Sequence, residues 1–360
     1  MNSAASFSAS YQPARAKFLE TAKKADGALD SLTHPERGPD GKEIATDIAW
    51  FGPRDASRVL VLISGTHGIE GYCGSGAQID WLLRGEQTRL PKDTAALLIH
   101  AINPYGFAWE RRVTEDNVDL NRNWIDFAGP LPANAGYDEL SAWLCPPDWS
   151  EASQQETVGK LLGWAQTHGM PALQQAASGG QYKHPRGIFY GGAAPTWSRK
   201  TQTNIFRSYL GSARRIAIID YHTGLGPWGY GEQIVPVAQE SKDFARARAW
   251  FGGAVTSPSG GTSTSADIAG DGLSAAVKLL AHAEVTGVAL EVGTVSVIEV
   301  LQALRADAWL HAYGEPLSPA GQAIKKQIRA AFYGDADDWK GMVAGQSLLA
   351  CRQALAGLSA

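Results

Sequence analysis

Four short apolar runs constrain this chain more than any other feature. They are RVLVLIS at 58–64, AALLIHAI at 95–102, RRIAIIDYH at 214–222 and GVALEVG at 287–293. Each is rich in Val, Ile, Leu and Ala and lacks the strict alternation of a strand wetted on one face. Each therefore reads as a strand covered on both faces. Helical stretches lie between them, such as GAQIDWLLRGE at 76–86 and QTNIFRSYLG at 202–211. This alternation predicts an α/β fold, a mostly parallel or mixed twisted sheet flanked by helices on both faces.

Around that frame, residues 8–26 carry Phe, Leu and Ala at helical spacing, and HPERGPDGKEIATDIAWFG reads as a hairpin turning at PDG. Residues 125–200 hold no strand of the same type. They contain Pro130, Pro132, Pro146 and Pro147 and one helical patch, ETVGKLLGWAQTHG, and end in the loop GQYKHPRGIFYGG. The stretch from 296 to 360 is helical in three pieces, including SPAGQAIKKQIRAAFYG with its SPxG start and terminal Gly. The expected organisation is a single catalytic domain over 1–360, with an insertion at about 125–200 and a helical C-terminal extension at about 296–360.

Composition narrows the function classes. With 360 residues, 44% hydrophobic and 19% charged, the chain can bury a large core without staples. A net charge of −4 argues against a nucleic-acid partner. Cys73, Cys145 and Cys351 are far apart and form no CxxC, so neither a disulfide framework nor a thiolate metal site is indicated. No uncharged run approaches the ~20 residues that span a bilayer, and the first residues lack the apolar core of a signal peptide. A cytoplasmic protein with no membrane partner is expected.

In open α/β sheets, ligands gather at the carboxyl ends of the strands. The first run is followed by THGIEG, with His67 and Glu70. The second is followed by NPYGFAWERRVTEDNVDLNRNW, with Arg111, Arg112, Asp119, Asn121 and Arg122. The third ends in DYHTGLG, with Asp220 and His222, and the fourth carries Glu291. Two imidazoles and one carboxylate are the ligand set of a catalytic zinc with an open position for water, whose pKa the metal lowers to about 7. An HxxE pair alone is equally consistent with a turn closed by a His–Glu hydrogen bond. Glu291 is the lone acid between Val285 and Ser296. A carboxylate among apolar residues needs a partner or a task, here an arginine or the proton transfers of a general base. Arg111 or Arg112 could steady an oxyanion. Arg122 with Asn121 could grip a substrate carboxylate, or Arg122 could pair with Asp119 or Asp126. Asp119 could instead orient a ligand histidine.

Taken in order, THGIEG, DNVDLNRN, DYHTG and LEVGT resemble the zinc carboxypeptidase superfamily, the M14 metallopeptidases, which include the aspartoacylase and succinylglutamate desuccinylase deacylases. GTHGIEGYCGSGAQ and NPYGFAWERRVTEDNVDLNRNW are most similar to its bacterial DUF2817 branch. The resemblance runs from about residue 50 to 295. It implies a zinc-carboxypeptidase-like (phosphorylase/hydrolase-like) fold and one Zn2+ on His67, Glu70 and His222. It makes Glu291 the catalytic base, Asn121 and Arg122 the carboxylate clamp, and Arg112, in preference to Arg111, the oxyanion stabiliser. Asp119 matches the aspartate behind a zinc histidine. The implied activity is hydrolysis of an amide next to a free carboxylate. The substrate would be a small peptide or, alternatively, an N-acyl amino acid. One departure concerns the peptidase branch, whose members place a tyrosine on a mobile loop before the catalytic glutamate. No Tyr occurs between Tyr230 and Glu291, where the loop reads SPSGGTSTSADIAGDGL. The deacylases lack that tyrosine too, but this chain shows no small C-terminal β-domain of the aspartoacylase kind.

Rival readings are weaker. GLGPWG at 224–229 formally fits GxGxxG, but Pro227 and Trp228 and a following strand-like YGEQIVPV favour a glycine-rich loop at the site over a dinucleotide motif. His100, His168 and His184 have no nucleophile partner in the sequence and read as core or surface, with His184 a candidate for the substrate pocket. A non-catalytic binding module is disfavoured because His67, Glu70, His222 and Glu291 are all present.

Overall fold

The computed structural model describes residues 2–360. Seven strands form one mixed sheet: β1 (Ala28–Arg37), β2 (Glu43–Phe51), β3 (Arg58–Ile63), β4 (Thr94–His100), β5 (Arg215–Thr223), β6 (Gly231–Ile234) and β7 (Glu284–Val292), in the order β1-β2-β4-β3-β5-β7-β6. The four apolar runs are four adjacent parallel strands, β4-β3-β5-β7. The β1–β2 hairpin adds antiparallel to β4, and β6 adds antiparallel to β7. On β3, Leu60 and Leu62 enter one apolar core while Val59, Val61 and Ile63 enter the other. Both faces are buried, which is why these runs do not alternate.

Among the described residues there are twelve α-helices: α1 (Tyr11–Lys24), α2 (Gly71–Leu83), α3 (Pro104–Ala108), α4 (Ala135–Leu144), α5 (Glu151–His168), α6 (Met170–Ser178), α7 (Trp197–Tyr209), α8 (Lys242–Phe251), α9 (Gly272–Leu279), α10 (Val297–Tyr313), α11 (Pro319–Phe332) and α12 (Asp337–Ser359). Side chains of α7 and α9 cover one face of the sheet. Those of α1, α2, α8 and α10–α12 share the larger core on the other. No helix among the described residues is long and apolar enough to cross a membrane.

The insertion is more helical than its sequence pattern suggests. Residues 125–200 contain three helices rather than one. Asn134 caps α4 by accepting the Tyr137 N–H, and Pro171 sits in the first turn of α6. Helices of 10 and 9 residues are marginal alone. Burial of Tyr137, Leu140, Leu173 and Ala176 in the large core holds them, and no local pattern reports such packing. The helices α10–α12 belong to the same core: Phe332, Trp339, Val343, Cys351 and Leu358 are buried in it.

Candidate metal centre

The turn that leaves β3 is shaped by close approach. Gly65 takes a φ of 68°, which favours glycine. A Cβ on Gly68 would lie 2.0 Å from the Gly106 carbonyl carbon, so only glycine lets the turn press against α3. His67 and Glu70 emerge from that turn, and His222 from the end of β5. One ligand atom from each lies within 4.8 Å of the others, and all three residues are buried.

Each imidazole lies between two carboxylates, Glu70 at Nδ1 and an aspartate at Nε2. His67 Nε2 lies 3.2 Å from Asp119 Oδ1, and His222 Nε2 lies 3.0 Å from Asp220 Oδ2. An Nε2 proton donated to the aspartate leaves the Nδ1 lone pair for a metal, the arrangement a metal-ligating histidine adopts. Those two Nδ1 atoms are 3.2 Å apart. Glu70 Oε1 is 3.0 Å from His67 Nδ1, and Glu70 Oε2 is 2.9 Å from His222 Nδ1. Two imidazole nitrogens and a carboxylate thus converge on one point, the donor chemistry of a divalent cation. Histidines backed by carboxylates are the usual support of a metal site. The donor set of His67, Glu70 and His222 therefore fits a single zinc ion.

Asp220 was noted in the sequence only as a polar strand end. The structure gives it the support of His222, and Thr66 Oγ1 donates to its other oxygen at 2.7 Å. A signal was present, since residues two apart on a strand share a face. Asp119 Oδ1 stands against His67 Nε2. It also accepts from Arg112 Nε at 3.0 Å and from the Asn121 N–H at 3.0 Å. Burial pushes its carboxyl up, but Arg112 and Arg122 outweigh this and hold it well below the usual range.

Glu291 is the register partner of His222 across β5 and β7, so both project from the same face of the sheet. It is 9% exposed. Burial, reinforced by the Glu70 charge, pushes its carboxyl up to about 7. The Leu225 N–H donates to its Oε1 at 3.0 Å. The GLGPWG segment is thus a loop that serves the acid.

The two neighbouring arginines part company. Arg112 Nη1 donates to Glu70 Oε1 at 3.0 Å, at the edge of the ligand cluster. The expectation of Arg111 as a substrate-binding residue is corrected: its Nε donates to Asp307 Oδ2 at 3.0 Å and its Nη2 to Asn117 Oδ1 at 2.8 Å. Its charge is consumed in the core between the loop and α10.

Arg122 is buried beneath the loop at 180–192. Its Nη1 donates to the Asn121 carbonyl and its Nη2 to the Ser178 carbonyl, while its Nε has no partner. Asn121 Oδ1 accepts the Gly272 N–H at 3.0 Å. Phe189, which the sequence did not single out, has a left-handed φ of 54°. Its ring centre lies 5.3 Å from the Arg112 guanidinium carbon and 5.4 Å from that of Arg122. His184 binds Asp138 Oδ1 at 3.0 Å. His100 is in the core against Phe18 and Ser75, and His168 stacks on Trp164.

Fold and site together define an α/β protein with a candidate single-metal centre at the carboxyl ends of its central strands. The chain belongs to the family described as "Protein of unknown function (DUF2817)", which matches residues 7–346. It matches no curated protein. Solved structures similar to it include bovine thrombin-activatable fibrinolysis inhibitor in complex with tick carboxypeptidase inhibitor (11% identity, 94% of this chain, 97% of that chain, TM-score 0.44). They also include carboxypeptidase A from Helicoverpa armigera (13%, 90%, 74%, 0.46) and succinylglutamate desuccinylase from Chromobacterium violaceum (13%, 84%, 74%, 0.37).

Proposed function

We propose that this protein is a zinc-dependent hydrolase of an amide bond next to a free carboxylate. The reading rests on the cross-strand pairing of buried Glu291 with His222 of the donor cluster. A zinc ion on His67, Glu70 and His222 would polarise the scissile carbonyl and supply bound water at neutral pH. Glu291, with its carboxyl held up near neutrality, would take a proton from the attacking water and return it to the leaving amine. Arg122 would hold the substrate carboxylate. Arg112 would stabilise charge on the carbonyl oxygen.

A peptide C-terminus is the first candidate substrate. The absence of any Tyr from 231 to 290 favours N-acyl amino acids as the second reading. The test is to load the protein with zinc and assay wild type and Glu291→Gln against free-carboxylate peptides and N-acyl amino acids in parallel. Full activity in metal-free protein, or in Glu291→Gln, would refute the mechanism. Turnover of one substrate class alone would decide between the two readings.

A further inference from the structure

Residues 110–112 tie the metal turn to the C-terminal helices. Glu110 has a left-handed φ of 50°, a conformation that a residue other than glycine keeps only where its surroundings hold it. Those surroundings are α2 and α11. The Tyr72 hydroxyl donates to Glu110 Oε1 at 2.5 Å, and Arg329 Nη1 lies 3.7 Å from the same oxygen. Beyond this point Arg112 engages Glu70 and Asp119, whereas Arg111 engages Asp307.

Asp307, on α10, is 3% exposed. Its Oδ2 takes Arg111 Nε at 3.0 Å, and its Oδ1 takes Lys325 Nζ, from α11, at 2.5 Å. His311 Nε2 stands 2.7 Å from that Nζ and 3.7 Å from Asp307 Oδ1. The backbone carbonyl of Arg111 accepts the Ile69 N–H at 2.7 Å, and that of Arg112 accepts the Gly68 N–H at 3.1 Å. Gly68 and Ile69 are the two residues between the ligands His67 and Glu70. The ligand turn thus hangs by two backbone hydrogen bonds from a strained segment that is anchored on Asp307.

We infer that Asp307 is a positioning residue for the metal centre, setting the His67–Glu70 turn through Arg111 while touching neither ligand. The inference rests on the cluster being a metal site. It assigns a task to helices that lie outside the sequence motifs.

The test is metal affinity, measured on the full chain by competing Zn2+ against a chromophoric chelator, with melting temperature recorded alongside. Asp307→Asn is expected to weaken zinc binding about tenfold. Arg111→Lys keeps a charge on Asp307 but loses the planar fork, and it should weaken binding in the same direction. Lys325→Met removes the other cation from Asp307 and leaves the Arg111 link intact. It should lower the melting temperature yet keep affinity within about threefold of wild type. Wild-type affinity in both Asp307→Asn and Arg111→Lys would overturn the inference. So would a loss in Lys325→Met equal to that in Asp307→Asn, since that is the signature of general core damage. Failure of the wild type itself to bind zinc would strike the metal reading, and the inference with it.

Discussion

His67 and His222 bring their Nδ1 atoms to 3.2 Å across 155 residues of chain, and each turns its Nε2 onto its own aspartate, Asp119 or Asp220. Each imidazole is thus backed by a carboxylate from its own part of the chain.

Zinc is expected to raise the melting temperature of the metal-free protein. A ligand that binds only the folded chain stabilises it by about 2.7 kcal/mol at a hundred times its Kd. Calorimetry with and without Zn2+ should show the rise in wild type and its loss in His67→Ala and His222→Ala. An undiminished rise in the double variant would place the ion elsewhere.

Glu291→Gln should lower kcat by about 10²–10⁴ while leaving zinc bound. The base form of Glu291 exists only above its pKa, which stands at about 7. kcat/KM should therefore fall as pH falls through an acid limb. A bound cation favours the carboxylate, so the limb should lie at or below 7, and Glu291→Gln should not show it.

The same group has a signature in stability. Its folded pKa is raised above the ordinary value of 4.5 to about 7. The stability it contributes is present in full below the ordinary value and is lost as pH rises through 7. Metal-free Glu291→Gln should therefore melt above wild type at pH 8 and close to it at pH 4. Thermal scans at the two pH values check this, and equal melting at pH 8 would mean the carboxyl is not perturbed.

Arg122→Ala should raise KM about 10–100-fold for free-carboxylate substrates, the equivalent of losing a charged hydrogen bond, with a smaller effect on kcat. Substrates amidated at that carboxylate should show no such difference between wild type and variant. A uniform loss on both substrates would remove Arg122 from the clamp.

Trp339→Ala should destabilise the protein by about 3–5 kcal/mol in chemical denaturation, as a large core side chain does. Trp339 is fully buried on α12, and its Nε1 donates to the Gly293 carbonyl at 2.9 Å, two residues past Glu291. A change below 1 kcal/mol would mean the C-terminal helix is not part of the cooperative core.

Much of this was legible in the chain itself. The central strands show as apolar runs because their two buried faces impose a local composition. The residues of the ligand cluster show because each lies at or just past the end of a strand, and the chemistry of two histidines and a carboxylate is independent of context. The insertion was less legible. The short helices α4 and α6 depend on partners such as Tyr137 and Ala176 meeting in one core, and no periodicity within ten residues encodes that meeting.

The amino-acid sequence by itself determined the strand set, the polar residue at each strand end and the identity of the candidate ligands, all properties of short contiguous segments. Tertiary structure alone decided which of Arg111 and Arg112 faces the cluster. A loop has no fixed side-chain period, and the left-handed Glu110 just before them is held by Tyr72 and Arg329 from distant helices. It alone decided that His184 serves Asp138 and that Asp307 holds Arg111. These pairings form only when segments far apart in sequence close on one another, so their energies depend on the packed chain rather than on any local pattern.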